Sequence, residues 1–127
     1  KAIGAHQFIE RLPGTYDYDV KERGGVLSVG QRQMLAFIRA YIYNPAVLVL
    51  DEATSSVDTE TETMIQAAID KITAGRTSII IAHRLATIQH ADIIMVMDQG
   101  QVVETGNHQE LLQRDGAYRK LYDLQFV

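Results

Sequence analysis

Hydrophobic positions along the chain follow two patterns that alternate with each other. In residues 34–42 and 65–72 they recur every three or four positions, and this spacing predicts two amphipathic helices. Residues 47–50, 78–82 and 93–97 instead form short, largely apolar runs, which are typical of parallel strands buried on both faces. Strands that alternate with helices predict an α/β fold with a mainly parallel sheet flanked by helices.

Capping and turn residues mark where these elements begin and end. Ser28 with Gln31, and Asn107 with Glu110, fit the capping box, in which each partner binds the backbone of the other at a helix start. Pro45 ends the first long helix, because the residue before proline is pushed out of the helical region. The sequence therefore predicts helices that begin at positions 28 and 107.

The ends of the chain give weaker patterns. Residues 5–12 suit a short helix, and residues 15–27 suit an ordered loop. The turn at 98–100 predicts a C-terminal hairpin whose first strand places Met95 and Met97 in the core. The last helix is expected to turn four residues inward: Tyr118, Leu121, Tyr122 and Leu124.

Composition and charge exclude several classes of protein. The chain has 127 residues, of which 46% are hydrophobic and 22% charged, which is ordinary for a globular domain. It has no cysteine, so a disulfide framework and a cysteine metal site are excluded. A net charge of -4 argues against a nucleic-acid partner. The longest apolar runs fall far short of the roughly 20 residues that span a bilayer, so we expect a soluble segment without a membrane span.

Two predicted strands end in polar residues that suit catalysis. Asp51 and Glu52 follow one buried strand, and His83 follows the next. Ligands of open α/β sheets bind at the carboxyl ends of the strands. One carboxylate can hold a metal while its neighbour handles a water, a division that suits phosphoryl transfer. Taken alone, a solvated strand end and a structural histidine remain alternative readings.

The helix predicted to begin at Ser28 is a second candidate site. A helix N-terminus presents free N–H groups and the positive end of the helix dipole, which favours anions. Gly30 allows the backbone to approach a ligand closely, and Ser28 supplies a hydroxyl. A plain helix cap is the alternative reading. The histidines at 6, 90 and 108 lack ligand spacing and are interpreted as surface or capping residues.

Together these segments resemble the nucleotide-binding domain of ABC transporters, of the exporter type. The resemblance rests on LSVGQRQ at 27–33, VLVLDE at 47–52, SVD at 56–58 and His83, in that order. Residues 16–24 and 100–112 are also similar to the exporter pattern, so the resemblance covers essentially the whole chain. It implies a P-loop ATPase that binds ATP and Mg²⁺ and drives export of an unknown substrate.

The resemblance also implies roles for individual residues. The signature motif, which contacts the γ-phosphate of ATP held by a partner domain, corresponds to Ser28, Val29, Gly30 and Gln31. The Walker B aspartate, which holds Mg²⁺ directly or through water, corresponds to Asp51.

Four further positions acquire roles in the same way. Glu52 corresponds to the general base that orients the attacking water, and His83 to the switch histidine on the γ-phosphate. Asp58 corresponds to the loop that crosses the dimer interface. Glu22 corresponds to the loop that contacts the transmembrane domains. The implied partners are a second nucleotide-binding domain, as a homodimer or heterodimer, and transmembrane domains at the cytoplasmic face of the cell membrane.

The chain departs from the family pattern at three points. No G-x-x-x-x-G-K-[ST] motif occurs, so the phosphate-cradling Walker A loop is missing. The resemblance therefore implies that the chain is the second half of a domain. Residues 1–45 would be part of the helical signature region and residues 46–127 the C-terminal part of the catalytic core. The chain alone would be inactive. Val29 and Lys21 each stand where the family usually has glycine. A degenerate signature at Val29 raises the hypothesis of a heterodimer.

Two other functions stay open at this stage. ATPases of chromosome maintenance and DNA repair share the signature and Walker B motifs, although residues 16–24 and the exporter-like tail argue against them. The chain on its own could instead be a non-catalytic interaction fragment.

Overall fold

The computed structural model describes residues 1–51, 59–82 and 85–126. Glu52, Asp58 and His83 therefore lie outside the described residues. The chain divides into two compact units, residues 1–81 and residues 82–127. Each unit has its own hydrophobic core.

The first unit combines helices with one pair of parallel strands. In chain order it contains α1 (His6–Glu10), 3₁₀ turns at Thr15–Asp17 and Glu22–Gly24, α2 (Val29–Tyr43), β1 (Val47–Asp51), α3 (Thr59–Thr73) and β2 (Thr77–Ile81). The predicted helices and strands of this region are therefore confirmed, with shifts of one or two residues at their ends. Helix α3 ends two residues before Gly75, whose φ of +72° fits a glycine just after a helix.

Strands β1 and β2 pair in parallel, and only one face of the pair is covered. Leu48, Leu50 and Ile80 face a core formed with α2 and α3. The residues between them point the other way, and Val49 is 61% exposed. The prediction of strands buried on both faces is wrong for this pair, because within the first unit helices cover a single face. The buried core residues are Ile3, Ala5, Ile9, Met34, Phe37, Leu48, Ile65, Ala68, Ile69 and Ile72.

The second unit is built around an antiparallel hairpin. It contains α4 (Leu85–Ile88), β3 (Ile94–Asp98), β4 (Gln101–Gly106), α5 (His108–Gln113) and α6 (Ala117–Phe126). The predicted hairpin is confirmed: β3 and β4 pair from Ile94 opposite Gly106 to Asp98 opposite Gln101. The buried residues of its core are Ile94, Val96, Leu111 and Tyr118.

Several predictions of burial in this unit are wrong. Met95 and Met97 alternate with the core residues of β3 and lie on its exposed face. In α6, Tyr118 is fully buried as predicted, but Leu121 is half exposed and Leu124 is 82% exposed. The helical stripe predicts which residues share a face, but α5 and the hairpin contact only part of that face.

His108 is also more than a surface or capping residue. Its Nδ1 lies 2.7 Å from the hydroxyl oxygen of Tyr118, and its ring contacts Tyr122. Burial, followed by the charge of Tyr122, raises the pKa of the Tyr118 hydroxyl. Within the second unit, α6 is thus connected to α5 by the hydrogen bond between Tyr118 and His108.

Across the described ranges, no helix has the length and apolarity that crossing a membrane requires.

Candidate functional site

The start of α2 is shaped by a complete capping box. The Ser28 backbone is extended, with φ −64° and ψ 164°, and its side-chain oxygen accepts from the Gln31 amide at 3.2 Å. In return the Gln31 side-chain oxygen accepts from the Ser28 amide at 3.0 Å. Because Ser28 Oγ acts as an acceptor, its own O–H remains able to donate to a ligand. The predicted helix start at Ser28 is confirmed.

Two backbone amides at this helix start are left for a ligand. Within residues 1–51 and the other described ranges, the amides of Val29 and Gly30 have no hydrogen-bond acceptor. The first turn of α2 contains no acidic residue, and Gln31 is neutral. The positive end of the helix dipole is therefore not offset by a carboxylate in that turn. Together with the Ser28 hydroxyl, these two amides suit an anion such as a phosphate oxygen.

Val29 lies at the first helical position, beside these amides. Its side chain is 48% exposed, so it borders the space that an anion would enter. Gly30 is buried in the same turn. The structure thus brings Ser28, Val29, Gly30 and Gln31 together at one helix start, as the sequence predicts.

The predicted coupling residue Glu22 lies in the second 3₁₀ turn, just before α2. Lys21, before it, has φ +60° and ψ 178°, a conformation that only glycine adopts easily. Asp19 holds Lys21 with both carboxylate oxygens: one accepts from the Lys21 amide at 2.9 Å, the other from Nζ at 2.7 Å. The Lys21 side chain, followed by its amide, lowers the pKa of the Asp19 carboxyl.

Asp51 lies on a different element from this helix start. It is the last residue of β1, is exposed, and pairs in register with Ile81 at the end of β2. Two parallel strands therefore end together at this edge, where open α/β sheets bind ligands. Glu52 and His83 come one and two residues after these ends in the sequence, outside the described residues.

The position of Asp51 suits a magnesium ion that is shared with water and phosphate, and not a metal site made entirely of protein ligands. Among the residues that the structure describes, no three histidine, aspartate or glutamate side chains form a cluster that could hold a metal. Magnesium is commonly bound through one or two carboxylates, waters and the phosphates of a substrate. A single strand-end carboxylate fits that kind of binding.

Comparison with known proteins connects this geometry to one family. The sequence profile of the ABC transporter family matches residues 2–55, which include α2, β1 and the capping box. The chain is also 56% identical, over 96% of its length, to an ATP-dependent lipid A-core flippase of Chromohalobacter salexigens. Over nearly its whole length the chain resembles part of an ABC transporter.

Further relatives place the chain among ABC exporters. It is 51% identical, over 98% of its length, to a Staphylococcus aureus protein described as a multidrug export ATP-binding/permease protein. The solved structure of a bacterial Atm1-family ABC exporter with ATP bound matches 99% of the chain, with a TM-score of 0.85 and 44% identity. These relatives do not favour the chromosome-maintenance alternative.

The chain spans only about a fifth of these ABC exporters. It covers 21% of the flippase, 22% of the multidrug export protein and 22% of the Atm1-family chain. The resemblance to part of an ABC ATPase domain of the exporter type is confirmed. The boundary predicted at 45/46 remains a prediction, as do the roles of the individual site residues.

Sequence reasoning misses two residues near the site of this ABC-type chain. Lys21 departs from the family glycine, but only its positive φ shows that the departure has a conformational cost. Arg32 lies inside the quoted signature segment, and its side chain donates from Nη1 to the Leu27 carbonyl at 2.6 Å. No sequence pattern indicates this bond, since its acceptor is a backbone atom.

Proposed function

We propose that the chain is part of the ATP-binding and ATP-hydrolysing component of an ABC exporter, which drives export of a substrate that is not yet identified. One observation carries the proposal: within the described residues, α2 starts with a neutral capping box, an available hydroxyl and two unpartnered amides. This arrangement is what binding of a terminal phosphate needs. The exporter names of the relatives support the direction of transport.

In this proposal the start of α2 binds the γ-phosphate of an ATP held by a second nucleotide-binding domain. Ser28 donates its hydroxyl, and the amides near Gly30 bind phosphate oxygens. Gln31 keeps the turn in shape without adding negative charge. The second domain can be an identical or a different chain, and Val29, in place of the family glycine, supports the heterodimer.

The catalytic residues are assigned from the family and from their places after β1 and β2. Asp51 holds Mg²⁺ directly or through water, and the metal neutralises phosphate charge. Glu52 orients or deprotonates the attacking water, and His83 binds the γ-phosphate. Asp58 contributes to the contact between the two ATPase domains.

The Glu22 turn is proposed to contact the transmembrane domains. Glu22 is exposed, and its turn is ordered by the Asp19–Lys21 contact next to it. An exposed, pre-ordered turn loses little conformational freedom when it binds a partner. Placed against the transmembrane domains, it would put the ATPase part at the cytoplasmic face of the membrane.

The two capping boxes allow a sharp test in the complete transporter. Gln31→Glu keeps the box but places a carboxylate at the proposed phosphate site. That carboxylate takes up the helix-dipole interaction, worth up to about 2 kcal/mol, and repels the phosphate. We expect ATP turnover to fall about tenfold or more while thermal stability is kept. Glu110→Gln makes the opposite exchange in the Asn107 box and should leave turnover unchanged. Full turnover by Gln31→Glu would contradict the proposal.

The chain alone is proposed to be inactive, because its sequence contains no Walker A loop to hold a nucleotide. Titration of the 127-residue chain with MgATP should therefore show no tight binding. Submicromolar binding would overturn this part of the proposal without affecting the assignment of Ser28 and Gln31.

A further inference from the structure

Arg32 contacts both the Glu22 turn and the start of α2. Its guanidinium Nη1 donates to the Leu27 carbonyl at 2.6 Å, in a partly buried position. Its side-chain carbons Cγ and Cδ lie against Gly24, the last residue of the 3₁₀ turn that contains Glu22. A single side chain therefore touches the segments on both sides of residues 25–26.

The contact at Gly24 depends on the absence of a side chain there. A Cβ at this position would come within 3.2 Å of Arg32 Cγ and Cδ, closer than such contacts normally are. Gly24 also has φ +69°, which side chains disfavour. The Gly24 amide donates to the Lys21 carbonyl at 3.2 Å, so the residue beneath Arg32 also closes the turn around Glu22.

The other contact lies next to the proposed phosphate site. Leu27 is buried and immediately precedes Ser28. The Arg32 amide donates to the Ser28 carbonyl at 3.0 Å, and the Leu27 amide donates to the Gly24 carbonyl at 2.9 Å. A hydrogen bond from a charged guanidinium is stronger than one between neutral groups. A shift of Ser28 would therefore be transmitted to Arg32 through both its backbone and its side chain.

We propose that Arg32 is a positioning residue that connects the Glu22 turn to the start of α2, so that phosphate binding at Ser28–Gln31 further restrains that turn. The inference rests on the proposed function and adds the route by which the nucleotide site and the proposed membrane contact communicate. Arg32 itself touches no nucleotide in this account.

The Asp19–Lys21 contact makes such transmission effective. Because Asp19 accepts from both the amide and the Nζ of Lys21, residues 19–21 are restrained relative to one another and flex less when the turn moves. The local Asp19–Lys21 contact restrains the N-terminal end of the turn, and Arg32 contacts its C-terminal end at Gly24. A displacement of the Arg32 side chain therefore changes the orientation of Glu22 and is not taken up by flexing of the turn.

Amide hydrogen exchange of the complete transporter in lipid nanodiscs tests this, with Mg²⁺ and a non-hydrolysable ATP analogue as the probe. Residues 28–33 report on phosphate binding, and residues 19–25 report on the turn. In the unaltered protein both segments should gain protection. In Arg32→Ala the gain at 19–25 should fall about tenfold, while the gain at 28–33 persists. A purely structural role would lower both.

Two further variants keep the result interpretable. Arg39→Ala removes an exposed arginine seven residues along α2, on nearly the same helical face, and should match the unaltered protein. Arg32→Lys keeps a methylene stem over Gly24 and a cationic donor, and should restore most of the gain at 19–25.

Each outcome separates the inference from the proposed function. Equal protection of residues 19–25 in Arg32→Ala and the unaltered protein overturns the inference and leaves the proposed function intact. A folded Arg32→Lys that behaves like Arg32→Ala also overturns it. Absence of any nucleotide-dependent gain at residues 28–33 in the unaltered protein contradicts the proposed function instead.

Discussion

Ser78 provides a direct test of how the core of the first unit is built. Its hydroxyl oxygen is buried and has no hydrogen-bond partner among the described residues. Ser78 pairs in register with Leu48 and lies on the same face of β2 as Ile80, both of which contact the core. The hydroxyl therefore loses hydration on folding without a compensating bond from the described part of the chain, and Ser78→Ala should make the chain more stable.

The size of the effect follows from three contributions. An unsatisfied buried hydroxyl costs about 1–3 kcal/mol. Its removal leaves a void smaller than a methyl group, which costs under about 1 kcal/mol. Alanine also suits a strand less well than serine or threonine, by a few tenths of a kcal/mol. We therefore expect Ser78→Ala to be about 1 kcal/mol more stable than the unaltered chain.

Urea unfolding followed by circular dichroism measures this difference. With a slope of about 2 kcal/mol per molar urea, the midpoint should rise by about 0.5 M. Thr77→Ala is the matched control, because Thr77 is the preceding residue of β2, is exposed, and should lose a little stability when shortened. A Ser78→Ala midpoint below that of the unaltered chain would show that the hydroxyl has a stabilising partner and refute the reasoning.

Two predictions concern the turn before α2. The φ and ψ of Lys21 cost a non-glycine residue about 1–3 kcal/mol. Lys21→Gly should therefore be about 1 kcal/mol more stable than Lys21→Ala in urea unfolding. Equal unfolding midpoints for the two variants would argue against backbone strain at this position. The lowered pKa of Asp19 means that its stabilisation of the turn is complete above the unfolded value near 4 and is lost as pH falls through the lower folded value. As the pH falls, hydrogen exchange at the Lys21 amide should therefore accelerate relative to the intrinsic rate of an unprotected amide. Asp19→Asn has no carboxyl to titrate, so an identical acid transition in that variant would rule out this explanation.

The helix starts are predictable from sequence because a capping box is a local interaction. Ser28 and Gln31, like Asn107 and Glu110, are three residues apart, and both pairs form the expected reciprocal bonds. Nothing distant in the chain has to be known for this to succeed. The same locality explains why the sequence by itself indicates the phosphate-facing arrangement at Ser28.

Burial is predictable only in part, because it depends on what covers a surface. The apolar character of Val49, Met95 and Leu124 is clear in the sequence, yet all three are exposed. Periodicity shows which residues share a face and does not show whether another element reaches that face. The burial predicted for Tyr118 is confirmed because α5 supplies a direct partner in His108.

The less predictable parts of the site depend on backbone torsions and on contacts with backbone atoms. The importance of Arg32 comes from the Leu27 carbonyl and from the missing side chain of Gly24, and neither gives a pattern in the sequence. The cost of Lys21 is visible only in its torsion angles. The strand-end position of Asp51 is predictable because a buried run followed by a carboxylate is a pattern of consecutive residues.

The exposed face of the β1–β2 pair has a consequence for mutational scanning. Val49 and Ile79 are more than half exposed, so polar β-branched substitutes such as threonine should cost this chain little stability. Ile80, on the covered face, should tolerate no such exchange. In a mutational scan that measures folding of the chain alone, positions along each strand should therefore alternate between tolerant and intolerant of polar substitution.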